Sequence, residues 1–150
     1  MSRKKAREIA LHLIFEMGFG VFEAENVMTD GLGEDVLHAL GEEIELYAGP
    51  LNASQTQYIV SAVKGVASHL EELDARIAAN TKGWNVARLS RMTMAILRLA
   101  IYEMYYVDDV PVGAAINEAV ELAKVYDTED AGAFINGVLG TIARAMPDNA

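Results

Sequence analysis

No cysteine occurs in the 150 residues of the chain, which excludes disulfides, thiolate zinc sites and cysteine nucleophiles and is compatible with a reducing compartment. No apolar run approaches the roughly 20 residues that a membrane-spanning helix needs. The basic N-terminus is not followed by a signal-peptide cleavage pattern. Together these absences predict a soluble, cytoplasmic protein without a membrane partner. Gly-rich phosphate loops, the Gly-x-Ser-x-Gly nucleophile motif and isolated carboxylate pairs inside apolar runs are missing as well. His12, His38 and His69 fall on separate segments with no second ligand at helical spacing, so neither a metal site nor histidine catalysis is expected. No residue pattern calls for a cofactor, and the expectation is a protein that is not an enzyme.

Positive charge is also scarce. Twelve Lys and Arg stand against 22 Asp and Glu, a net charge of −10, and an acidic body repels phosphate at long range. The distribution argues the other way. Arg3, Lys4, Lys5 and Arg7 share the first seven residues with no acid, and the stretch Ala75 to Tyr102 contains Arg76, Lys82, Arg88, Arg91 and Arg98 without one Asp or Glu. Bases at the start of a helix oppose its macrodipole at a cost of roughly 0.3–1 kcal/mol each. An anionic partner accounts for that cost; a solvated tip and a chance gap leave the same pattern.

What the chain has in quantity is helical periodicity. Ser90 to Val107 places Met92, Met94, Ala95, Ile96, Leu97, Leu99, Ala100, Ile101, Met104, Tyr105 and Val107 in almost every direction around a helix, which predicts a central, enclosed element. Ser90 is its expected N-cap, and Asp108-Asp109-Val110-Pro111 its stop. Arg98 inside this run needs an acid; Glu118 or Glu121 is the expected partner in a buried or half-buried ion pair.

Around that spine, Ser2 to about Phe19 forms an amphipathic helix with Ala6, Ile9, Ala10, Leu13, Ile14 and Met17 on one stripe, and Phe15 at its border. A second helix is expected over Glu34–Tyr47. A third, capped by Ser54, runs to about Ala79 through Ile59, Val63, Val66, Ala67, Leu70, Leu73 and Ile77. Glu71, Glu72 and Asp74 read as a solvated face of it. The polar break Asn80–Asn85, which holds the only tryptophan, Trp84, marks the expected boundary between two halves. Val112 to Tyr126 and Glu129 to Met146, the latter capped by Thr128, complete the pattern. The last helix carries Phe134, Ile135, Val138, Leu139 and Ile142 as its apolar ridge. No segment alternates with period two, so the fold is expected to be all-α, with about six to seven helices in one domain whose sub-bundles span approximately 1–80 and 86–146.

Three stretches together resemble the NusB family of transcription antitermination factors: Arg3-Lys4-Lys5-Ala6-Arg7-Glu8, Ala95-Ile96-Leu97-Arg98-Leu99-Ala100-Ile101-Tyr102-Glu103, and Ile116-Asn117-Glu118-Ala119-Val120-Glu121-Leu122-Ala123-Lys124 followed by Phe134-Ile135-Asn136-Gly137-Val138-Leu139. Their order and spacing extend over most of the chain. The resemblance implies two small helical bundles packed across each other. It also implies binding of single-stranded boxA-type leader RNA together with NusE, a small-subunit ribosomal protein, in the transcription elongation complex during ribosomal RNA transcription.

Residue by residue, the resemblance assigns phosphate and sugar contacts to Arg3, Lys4, Lys5 and Arg7. It assigns base stacking to Phe134 and hydrogen bonding to the Asn136 amide, with Gly137 in the same matched RNA-binding segment. Phe15 matches an aromatic position on the face that meets NusE. Thr93 stands where the family usually has an acid that helps hold NusE, Ala133 where a base often precedes the Phe, and Gly140 where Asp often follows Val-Leu. Arg88 and Arg91, from the second acid-free window, join the RNA-binding set, and these groups are expected to line one surface. The alternative is a helical protein-interaction module without RNA, with Phe15 and the edge of the central helix as its contact face. Monomer and homodimer are both open for the free chain.

Overall fold

The computed structural model describes residues 2–17, 53–81 and 89–147. The expected helix over Glu34–Tyr47, Trp84 and Arg88 lie outside the described residues. Those described form six helices and, among them, no strand: α1 Ser2–Met17, α2 Ala53–Ser68, α3 Leu70–Ala79, α4 Arg91–Tyr106, α5 Val112–Tyr126 and α6 Glu129–Ala145. The chain divides into two compact units, Met1–Ser68 and His69–Ala150.

In the first unit α1 packs along α2. The expected stripe is buried, with Ala6, Ile9, Ala10, Leu13 and Ile14 meeting a core that includes Ile59, Ala62, Val63 and Val66. Burial goes further than the stripe, because every residue from Ala6 to Leu11 is covered, Arg7 and Glu8 included. One-sided amphipathicity therefore understates how far α1 is enclosed. α2 begins at Ala53, so Ser54 is its second residue rather than its cap.

The helix expected to run unbroken to Ala79 is interrupted at His69, whose φ of −111° and ψ of 18° leave the helical region. The apolar spacing continues through this point, which is why period alone does not reveal it. The local chemistry supports a fresh start: Glu71 and Glu72 occupy the first turn of α3 and Arg76 its last, each favourable to the helix dipole. Leu70, taken as part of the stripe, is 38% exposed. Because α3 packs on α4, it belongs to the second unit, and the partition falls at Ser68/His69 instead of the expected break at Asn80–Asn85.

α4 is the spine of that second unit and packs against α3, α5 and α6. Ile96, Leu97, Leu99 and Ile101 are all at most 1% exposed, and full burial of each such side chain contributes about 1.5–3 kcal/mol. Its start is capped as expected, with Ser90 Oγ accepting from the Thr93 amide at 2.9 Å. Thr128 Oγ1 does the same for α6 at the Ala131 amide, 3.0 Å; such caps contribute about 1 kcal/mol each. Asp108 to Pro111 separates α4 from α5, with Pro111 at the N-cap of α5.

Arg98 finds its acid, though not on α5. Its Nε donates to Asp74 Oδ1 at 2.8 Å and its Nη2 to Asp74 Oδ2 at 3.0 Å, a half-buried bidentate pair between α4 and α3. The partner is therefore Asp74 rather than Glu118 or Glu121, and Glu121 pairs with Lys124 at 3.1 Å. A helix break at His69 is what brings Asp74 beside the spine within one unit. Asp74 and Glu72 are thus bonded, not members of a merely solvated face.

Candidate nucleic-acid interface

The four N-terminal bases are not equivalent. α1 carries no acid in its first turn, so nothing in its own sequence offsets the positive end of the helix. Lys4 is exposed, and Arg3 and Lys5 are half-buried. The Arg3 guanidinium lies 4.7 Å from the centroid of the Tyr58 ring of α2, which holds the side chain against the protein. Arg7 is only 6% exposed and is not free of partners. It is a core cation rather than a phosphate contact, because the buried faces of Ala6, Ile9 and Ala10 carry it inward.

At α6 the helical period sorts the predicted residues onto different sides. Phe134 is 5% exposed and sits in the ridge with Ile135, Val138, Leu139 and Ile142, so its ring faces the core and presents no open face to a base. Two residues further on is about 200° around a helix, which turns Asn136 outward; Asn136 and Gly137 are both exposed. A Cβ built at Gly137 meets nothing within 4 Å, so the protein itself does not require glycine there. The attraction that free amides at a helix start exert on an anion is offset at α6. Thr128 occupies the Ala131 amide, and Glu129 and Asp130 fill the first turn.

The start of α4 also differs from expectation. Arg91 is exposed. Thr93 is 3% exposed, and its hydroxyl donates to Asp127 Oδ2, which also accepts from Ser90 Oγ at 3.3 Å. The two hydroxyls lie 2.9 Å apart. Thr93 therefore clasps the N-terminus of α4 to the junction of α5 and α6 and has no surface to offer a partner. Phe15 is half-buried and already engaged by another group.

One cluster went unrecognised in the sequence. Arg76 donates to Glu72 through Nε at 3.1 Å and to the Tyr105 hydroxyl through Nη1 at 3.0 Å, with its guanidinium carbon 3.9 Å from the Tyr105 ring centroid. The Tyr106 phenol donates to Glu72 Oε1 at 2.7 Å. That bond, followed by the hydrogen bond from Arg76 and then its charge, holds the Glu72 carboxyl below its ordinary range, and the same bond raises the Tyr106 phenol. Burial raises Tyr102. The signals were in the chain: Glu72 and Arg76 are four apart on one helix, and Tyr102, Tyr105 and Tyr106 recur at helical spacing.

The described residues define a class, a helical protein that presents cations and amides from its helix surfaces. A model described as the NusB family matches residues 4–144. The chain belongs to the NusB family. The transcription antitermination protein NusB of Acetivibrio thermocellus is 43% identical over 144 residues, which are 96% of this chain and 90% of that protein. The protein of the same name from Geobacter sulfurreducens is 34% identical over 147 residues, 98% of this chain and 97% of that one. Among solved structures, a crystal structure of the antitermination factors NusB and NusE in complex with dsRNA is similar with a TM-score of 0.74 and 26% identity, covering 97% of this chain and 98% of that one. T. maritima NusB is similar with a TM-score of 0.72 and 27% identity, covering 97% and 93% of the two chains.

Proposed function

We propose that this chain is a non-enzymatic RNA-binding transcription antitermination factor, which binds boxA-type leader RNA together with NusE in the elongation complex during ribosomal RNA transcription, in the cytoplasm. The observation that carries this reading is the near-complete coverage between this chain and a relative solved with NusE and RNA. Exposure supports a narrower set of side chains for this role. Arg3, Lys4 and Lys5 supply phosphate contacts from the first unit, and Asn136 with Gly137 supplies an exposed hydrogen-bonding and close-approach point from the second. Arg91 adds charge. Arg7, Phe134 and Thr93 are buried, each in its own unit, and act there as structural residues. With a net charge of −10, long-range repulsion weakens unaided RNA binding, and a basic partner offsets it.

The test is RNA affinity of the purified chain, with and without NusE, over a salt series, using a boxA-type strand alone and as a duplex because the solved relative holds dsRNA. Three phosphate contacts predict a log–log salt slope of about −2 for single strands. Absence of binding in every arm, or a flat salt response, contradicts the reading.

A further inference from the structure

Glu72, His69 and the tyrosines of α4 form a surface that the RNA reading leaves unused. Tyr106 is 40% exposed, yet its ring is fixed: the phenol bonds Glu72 at 2.7 Å, the His69 ring lies 4.3 Å away and the Tyr102 ring 5.6 Å away, centroid to centroid. Immobilising such a side chain is normally part of the cost of binding, and here the fold has already met it. Leu70, 38% exposed, adds apolar area beside His69.

The electrostatics select the partner. Because Tyr106 gives its proton to Glu72, its oxygen offers lone pairs outward and has no second proton to donate. Glu71 is exposed in the same turn of α3 as Glu72, Asp108 and Asp109 are exposed just beyond α4, and the last turn of α4 has no basic residue to balance its negative end. A phosphate finds repulsion here, whereas a guanidinium or ammonium finds acceptors and a ring. The cluster already holds one such group, since Arg76 lies over Tyr105 while bonding Glu72.

We propose that Glu72, His69, Tyr102 and Tyr106 form a docking surface for an arginine- or lysine-bearing segment of a protein partner, which sets a cationic head against the exposed part of the Tyr106 ring and donates to the phenol oxygen and the Glu72 carboxylate. None of its residues is among the groups assigned to RNA, so it stands or falls independently of them. The probe is a hexa-arginine peptide, titrated into the full chain at about 0.15 M salt, where exposed charges more than about 8 Å apart are screened. Tyr106→Ala is expected to weaken binding about fivefold, the scale of an exposed cation–π contact, with Glu72→Gln similar and the remote control Glu129→Gln under about twofold. Tyr106→Phe keeps the ring and the packing of α4, and is expected to lose about twofold through the missing oxygen. Equal losses in the control, unchanged affinity in Tyr106→Ala or Tyr106→Phe, or a uridine hexamer that shifts the Tyr106 and His69 ring resonances more than the peptide does, overturns the proposal.

Discussion

Replacing Gly137 by alanine sets fold stability and RNA binding in opposition. Gly137 lies in the middle of α6, is exposed, and leaves a built Cβ with no heavy atom within 4 Å. An exposed helical glycine is worth about 0.5–1 kcal/mol less than alanine, because glycine loses more backbone freedom on folding. No clash subtracts from that figure, and the Thr141 hydroxyl bond to the Gly137 carbonyl, 3.0 Å, does not involve the side chain. Gly137→Ala should therefore stabilise the chain by about 0.5–1 kcal/mol and raise the melting temperature by about 1–4 °C, the conversion for a chain of this size. If RNA approaches the backbone at this point, the added methyl should weaken boxA-type binding several-fold despite the stabler fold. Thermal unfolding followed by circular dichroism and an RNA titration on the same sample decide it. A loss of stability refutes the open-helix description; a gain in stability with unchanged RNA affinity removes Gly137 from the interface.

Breaking the bidentate pair by Asp74→Asn should cost about 1–2 kcal/mol, below the cost for fully buried pairs because both side chains keep solvent contact, whereas Glu121→Gln should cost less than about 0.5 kcal/mol; urea midpoints that reverse this order contradict the pairing. Thr93→Val should cost about 1 kcal/mol through the lost Asp127 bond and leave NusE affinity unchanged at temperatures where the fold is intact, while a partner-contact role predicts intact stability and weakened NusE binding. The Glu72–Tyr106 bond sets a pH window. The Glu72 carboxyl is lowered in the folded state, so its contribution is present above the ordinary carboxylate range and is lost as pH falls through the folded value. The Tyr106 phenol is raised, so its contribution is present below the ordinary phenol range and is lost as pH rises through the folded value. Tyr106→Phe should flatten both flanks of the stability–pH curve, and an unchanged acid flank contradicts the bond.

The long apolar segments were legible because period and capping agree in them. Ser90 and Thr128 announce their helices by hydroxyl before an apolar run, and both accept the amide that such a cap should. The break at His69 was not legible from apolar spacing, since Val66, Leu70 and Leu73 keep helical phase across it; only the acids at Glu71 and Glu72 hinted at a new start. That missed break is also why Arg98 was assigned to Glu118 or Glu121 when Asp74 was nearer. For the site, charge and exposure diverged. Lys4 and Asn136 are as open as their chemistry suggests, but Arg7 and Phe134 share faces with core residues, so helical phase, read strictly, already placed them inside. Thr93 followed from no local pattern, because its partner Asp127 lies 34 residues away in sequence.

RNA recognition by this chain together with NusE is the central expectation. The direct measurement is the affinity of the full chain for a boxA-type RNA, in the presence of NusE, for the parent and for a variant with Arg3, Lys4 and Lys5 all changed to Gln. The prediction is a parent complex whose affinity falls with salt, and a variant that keeps NusE but loses about 2–3 kcal/mol of RNA binding near 50 mM salt and correspondingly flattens the slope. Parent and variant binding RNA equally, with the same salt response, contradicts it.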